Sequence, residues 1–437
     1  MIDMKFPRIA FIDLAFNWPP VGGCWVDLKE IMSRLMARGF EVCLFTPVWT
    51  DYYPRGDIRE ELPFPVHRIH FSRFTFNAWH LRQRFGKAVR EWSPDLVFLG
   101  EGYHLKHHLL AHFAPDFPVY VRFYAYDTQC LNLHYWLYDQ HRICDGGFLT
   151  DPARCHRCWH PGASFPKRLA KILLGYPDRH PQLHFTQEYA AALAFTPWYR
   201  FMLPEWLWQA EALIVYNEFT AQFYRKHSNR VRIIPSGVDT SRFPCVTPTD
   251  RRKKIILVPG RINDELKGFS TVRQACQRLY QMGYDFEVRI TTTCEIPTHD
   301  PWIHNLGWVS QDRVPSLYQE ADIVIVPSIW VEPFGITTLE AMSSGLPVVG
   351  SRIGGIAETI VHGQSGLHFE PGNSEQLCAL LRGLLESSDL RHRLGEEARR
   401  RAVEQYDWDQ VVDRHYIQPF LLKFGQLQHE KRKRAWA

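Results

Sequence analysis

Short apolar runs alternate with stretches of helical periodicity along most of the chain. "RIAFIDLAF" (Arg8 to Phe16) reads as a buried strand, and Leu28, Ile31, Met32 and Leu35 then recur at spacings of three and four, which predicts an amphipathic helix. Gly39 ends that helix and "EVCLFT" begins another strand. Further strands are predicted at Asp95 to Gly100, Val119 to Tyr124, Ala212 to Asn217 and Val231 to Gly237. The pattern restarts after residue 246: "KKIILVPG" is a strand, Gly268 to Met282 a helix, and "FEVRIT", "ADIVIVPS" and "LPVVGS" are strands. Continuous apolar runs separated by helices predict parallel strands covered on both faces.

Two such series in one chain predict an α/β protein of two Rossmann-like domains facing a central cleft. The expected division is 1–245, with an insertion at about 125–205, and 246–415, joined near "TPTDRRKK". A C-terminal helix over 416–437 is expected to pack back on the first domain, its last residues, "HEKRKRAWA", reading as a solvated or disordered tail. A length of 437 residues suits two cores. In open parallel sheets, ligands bind beyond the carboxyl ends of the strands, so the loops there are where chemistry is sought.

The composition changes this picture little. Hydrophobic residues make up 45% and charged residues 22%, as in ordinary globular enzymes. A net charge of +4 gives no reason to expect a nucleic-acid partner, because the one strongly basic run is confined to the tail. No stretch reaches the roughly twenty apolar residues that a membrane-spanning helix needs. "RIAFIDLAF" is interrupted by Asp13 and does not resemble a signal peptide. The cytoplasm is the expected location. "FPKRLAKILLGY" (Phe165 to Tyr176) mixes cations with apolar residues, which suits either an ordinary surface helix or peripheral contact at the inner face of a membrane.

The informative stretch is "WVEPFGITTLEAMSSGLPVVGSRIGG", from Trp330 to Gly355. A strand ends just before it and a helix begins at about Thr337. The N-terminus of a helix offers unpaired N–H groups and partial positive charge, which suits a diphosphate. Gly335 lets the backbone approach a ligand. Glu332 and Glu340 flank that turn and are placed to accept hydrogen bonds from hydroxyls at two ends of one bound molecule. A sugar nucleotide has that distribution of groups.

The segment resembles the signature of the family 4 retaining glycosyltransferases, of GT-B architecture, through Glu332, Phe334, Gly335, Glu340, Gly345, Pro347 and Gly354-Gly355. "VPGRINDELKG", "IIPSGVDTSRF" and "PPVGG" are similar to three further family segments in the expected order. The resemblance implies that Arg261 and Lys267 neutralise the donor diphosphate. It also implies that Glu332 touches the sugar, that the backbone of Gly335, Ile336 and Thr337 contacts sugar and phosphate beside Phe334, and that Glu340 holds the ribose. Gly22 and Gly23 are then expected at the phosphates, and no catalytic metal or other cofactor is required. Two departures stand out: Tyr126-Asp127 occupies the place of a family His-Asp, and Trp25 the place of a family Glu. Asp127 reads equally as a residue orienting a sugar or acceptor hydroxyl and as a helix cap. "DWD" (Asp407 to Asp409) reads as a helix cap.

Between Cys130 and His160 lie four cysteines, of which Cys155 and Cys158 have metal-ligand spacing. Two readings stay open: a structural zinc site on Cys130, Cys144, Cys155 and Cys158, and reduced thiols in a loop. The activity implied is retaining transfer from a UDP- or GDP-linked sugar to a hydroxyl of a glycan, lipid-linked saccharide or small molecule. A nucleotide-sugar epimerase of the same architecture and a non-catalytic nucleotide-sugar binder are the alternatives.

Overall fold

The computed structural model describes residues 6–20, 22–49, 55–72, 74–159, 188–246, 251–292 and 300–436. The candidate membrane segment Phe165 to Tyr176 and the join at residues 247–250 lie outside the described residues. The chain divides into two compact units, Met1–Ile234 with Val412–Ala437, and Pro235–Val411. The first boundary falls eleven residues or so before the expected 245/246.

Unit one is built on a seven-stranded sheet. Its strands are β1 (Arg8–Ile12), β2 (Glu41–Val48), β3 (Val66–His70), β4 (Leu96–Leu99) and β5 (Val119–Arg122), then β8 (Ala212–Val215) and β9 (Val231–Ile233). Between β5 and β8 a small hairpin pairs β6 (Trp136–Leu137) antiparallel with β7 (Arg142–Ile143). The sheet order is β3-β2-β1-β4-β5-β8-β9 and every pair in it is parallel. Strands β4, β5 and β8 are buried at every position, which is why β4 and β8 are unbroken apolar runs rather than alternating ones. The first helix, Gly23–Ala37, buries Leu28, Ile31, Met32 and Leu35. Each such burial contributes about 1.5–3 kcal/mol. The C-terminal segment belongs to this unit, with Tyr416 6.2 Å from Phe98 and Phe420 4.9 Å from Tyr120 between ring centroids. Its last helix runs Gln418–Trp436. Residues 429–436, expected as a loose tail, therefore continue a helix, helped by Lys431 reaching Asp95 at 3.7 Å.

Unit two carries a six-stranded sheet: β10 (Lys254–Val258), β11 (Phe286–Ile290), β12 (Ile303–Asn305), β13 (Ile323–Val326), β14 (Val348–Ser351) and β15 (Leu367–Phe369). The order is β12-β11-β10-β13-β14-β15, again all parallel. Helix Phe269–Gln281 buries Val272, Ala275, Cys276 and Leu279. Strands β10 and β13 lie side by side at the centre, so the loops leaving their carboxyl ends are neighbours. Those loops carry Arg261 to Lys267 and Ser328 to Gly335.

Candidate active site

The first of these loops follows Val258. Gly260 binds Thr291 through its N–H at 2.7 Å, and Arg261 next to it is exposed. Asp264 then caps a short 3-10 turn, Glu265–Lys267, by accepting from Leu266 N–H at 3.0 Å. This turn presents Lys267. The second loop is tied to the first by Ile329 N–H donating to the Leu266 carbonyl at 2.9 Å. A strand order set by burial has thus placed two sequence-distant loops in contact.

Lys267 Nζ donates to Glu332 Oε2 at 2.8 Å, and Ser328 Oγ donates to the same oxygen at 3.0 Å. Lys267 also sits 5.5 Å from the Trp330 ring centre. The side chains of Lys267 and Glu332 are 25% and 13% exposed, so the pair is held yet open to a ligand. Glu332 is fixed by its backbone too, since its carbonyl accepts from Gly355 N–H at 2.9 Å. This contact explains Gly354: its φ is +51°, and a Cβ there would stand 2.2 Å from the Glu332 carbonyl oxygen. Only glycine lets the helix Gly354–Thr359 begin against the glutamate loop.

Helix Ile336–Ser343 starts at Gly335, which has φ +86° and provides no side-chain cap. The first turn holds no acidic residue; Thr338 N–H donates to the Gly335 carbonyl at 2.9 Å, and the positive end of the helix favours an anion there. Glu340, on this helix, accepts from Tyr318 Oη at 2.6 Å. Burial raises the Glu340 carboxyl above its usual range, and the Tyr318 bond and the Arg242 charge oppose that shift. The segment around Asp239 also belongs to this unit: Thr240 donates to Asp407 Oδ2 at 2.5 Å, while Asp407 Oδ1 accepts from Asp409 N–H at 2.9 Å. Asp407 therefore caps the helix Trp408–Val412 and anchors the Asp239 loop.

Sequence reasoning missed Ser328 and Tyr318, the two hydroxyls that orient Glu332 and Glu340. Ser328 was within reach as the residue four before Glu332 in a strand-end loop. Tyr318 carries no linear signal, because it meets Glu340 only through packing of separate helices.

The remaining expected site residues lie in unit one. Gly22 precedes the first helix in extended backbone, φ −147°, and a Cβ there would meet nothing closer than Cys24 Sγ at 3.8 Å. Gly23 opens that helix, with no side-chain cap. Asp127 lies 1% exposed. Lys106 Nζ holds it at 2.8 Å and Glu101 at 3.6 Å. Burial raises Asp127 to about 6, against the lowering effect of Lys106. Asp13 nearby is raised to about 7 by burial, although Ala15 and Glu101 donate backbone N–H groups to it. Tyr126 is fully buried. Trp25, 5% exposed, is a core residue of the first helix. Among the described residues, no group of three or more His, Cys, Asp or Glu side chains is placed to hold a metal ion. No described helix is long and apolar enough to cross a membrane.

Comparison with known proteins adds to this geometry. Residues 300–401 match the model of the family Glycosyl transferases group 1. The MMP alpha-(1->4)-mannosyltransferase of Mycolicibacterium hassiacum is 30% identical over 194 residues, covering 42% of this chain and 46% of that protein. The chain thus spans about half the length of the curated relatives it matches. Among solved structures, sucrose-phosphate synthase from Thermosynechococcus elongatus superposes with a TM-score of 0.62 at 18% identity, covering 98% of this chain and 99% of that one. Anabaena HepE in complex with UDP and glucose superposes at 0.57 and 16% identity, covering 93% and 97%. Likeness at such identities is a likeness of fold, and the fold is GT-B.

Proposed function

From a chain whose residues 300–401 match the model of the family Glycosyl transferases group 1, we propose a retaining glycosyltransferase that takes a sugar from a UDP- or GDP-linked donor. The acceptor is a hydroxyl of a glycan, a lipid-linked saccharide or a small molecule. The observation that carries this reading is the Lys267–Glu332 pair beside the uncapped start of the Gly335 helix.

Each group has work suited to its chemistry. As the bond from the sugar to the diphosphate breaks, negative charge grows on the leaving phosphate. Arg261, Lys267 and the helix N–H groups stabilise that charge in place, and such fixed donors are typically the largest catalytic contribution. Glu332, oriented by Lys267 and Ser328, accepts from sugar hydroxyls. Glu340, oriented by Tyr318, accepts from the ribose. The acceptor hydroxyl attacks from the face the diphosphate leaves, its proton passes to the departing phosphate oxygen, and the anomeric configuration is kept. No side-chain nucleophile is needed, so positioning supplies much of the rate. The relatives support the donor class: the HepE structure holds UDP and glucose, and the Mycolicibacterium protein is named a mannosyltransferase.

The test is a donor screen. Nucleoside diphosphate release is measured for UDP-, GDP- and ADP-sugars with and without candidate acceptors. Release with UDP- or GDP-sugar, rising when an acceptor hydroxyl is supplied, is the expected result. Conversion of the donor to an epimer with no acceptor, or binding with neither transfer nor hydrolysis, would replace this reading by one of its alternatives.

A further inference from the structure

The segment between β5 and β8 is poor in regular structure. Its first part, residues 123–159, holds only the β6–β7 hairpin and the helix Pro152–Trp159, with three non-glycine residues at positive φ, Leu133, Tyr135 and His141; a longer helix, Pro197–Gln209, leads into β8. Segments this small ordinarily need a staple to hold one conformation. Four cysteines from three parts of it line a single cavity of about 20 Å³: Cys130 after β5, Cys144 after β7, and Cys155 with Cys158 on the helix. That volume is of the order of one water or one ion. Cys155 and Cys158 are three apart on the helix, so they share a face.

The sulfurs are also supported as ligands are. Gly146 N–H donates to Cys144 Sγ at 3.4 Å. The Asn132 side-chain amide donates to Cys158 Sγ at 3.5 Å. Such outer bonds stabilise thiolate charge and orient metal ligands. The nearby histidines are engaged elsewhere: His134 with Tyr138 at 2.6 Å and His156 with Tyr189 at 2.8 Å. None of the four cysteines forms a disulfide.

We propose that Cys130, Cys144, Cys155 and Cys158 bind one zinc ion as four thiolates, pinning the hairpin to the helix. Among the described residues no three such side chains are placed to hold a metal ion, so metal binding must draw the four cavity-lining thiols inward. Four sulfur ligands favour zinc, which takes a closed tetrahedral site of this kind in structural roles. The reading is independent of the donor site in unit two.

The experiment uses the full chain, purified without chelator. Elemental analysis is expected to find one zinc per chain, and cobalt exchange to give the sulfur-to-cobalt absorption of a tetrahedral thiolate site. The C155S/C158S double variant is expected to lose both signals. Should that variant not fold, cobalt exchange on the wild type still decides. Protein that is metal-free and takes up neither zinc nor cobalt under reducing conditions, iron with labile sulfide, or a disulfide within the four would each overturn the proposal.

Discussion

Two lysine–carboxylate pairs in this protein have the same length and opposite surroundings. Lys267 meets Glu332 at 2.8 Å in unit two, and Lys106 meets Asp127 at 2.8 Å in unit one. The first pair is 25% and 13% exposed, and the second 1% on both sides. Distance therefore says nothing about role. A pair open to solvent contributes at most about 1 kcal/mol to stability and leaves its charges free to be redirected to a ligand. A pair out of water cannot exchange partners without leaving a charge unsolvated, so it acts as a structural tie.

Four predictions break or sharpen this contrast. The largest effect is expected from Lys106→Met, which leaves Asp127 and Glu101 buried without their cation. The expected loss is about 3–5 kcal/mol of unfolding free energy, read by urea denaturation, and a loss below about 1 kcal/mol would mean that water reaches the cluster. Next, Lys267→Ala and Arg261→Ala should each lower turnover about 10²–10³-fold with little change in unfolding midpoint. Near-normal rates in either variant would remove that cation from the diphosphate site. Third, Glu340→Ala should weaken nucleoside diphosphate binding by about 1.5–3 kcal/mol, measured by calorimetry. An unchanged affinity would leave Glu340 with the structural task of pairing Tyr318.

The fourth prediction concerns pH. Asp13 is raised from 3.8 to about 7, so between those values the folded chain holds a proton that the unfolded chain has released. Its contribution to stability accordingly falls as pH rises through that window. Buried His104 and His108, lowered to about 3 and about 4, act in the opposite direction below their usual range. The useful readout is therefore a difference. The melting midpoint of Asp13→Asn relative to wild type should climb as pH rises from about 4 to about 7. A flat difference across that range would show Asp13 to titrate normally.

Much of the fold was legible because its central strands are buried on both faces. "LVFL" at β4 and "IVIV" at β13 can hardly be anything but interior strands once helices flank them. The unpredicted strands are the polar or short ones. Edge strand β3, "VHRIH", exposes three of its five residues, and β12, "IHN", has none fully buried, so neither has the apolar signature that burial imposes. Predicted strand ends ran long for a related reason: Asp13 and Leu14 are buried as deeply as β1 itself, and burial does not distinguish a strand from the turn after it. In the candidate site, Glu332, Gly335 and Glu340 were visible as a motif, and Arg261 and Lys267 as cations following a strand.

What the sequence determined by itself was the set of chemical groups and the local backbone that presents them: strand, glycine turn, helix start, and the charged residues at fixed offsets from each. These are short-range matters, governed by sterics and by the period of apolar residues. Which carboxylate would be open and which sealed was decided only by the tertiary structure. Asp127 and Glu332 each follow a buried strand closely, and nothing near either in the chain foretells that one meets Lys106 out of water and the other Lys267 within its reach. Desolvation depends on every element packed around a charge, and that sum is not written at any one place in the sequence.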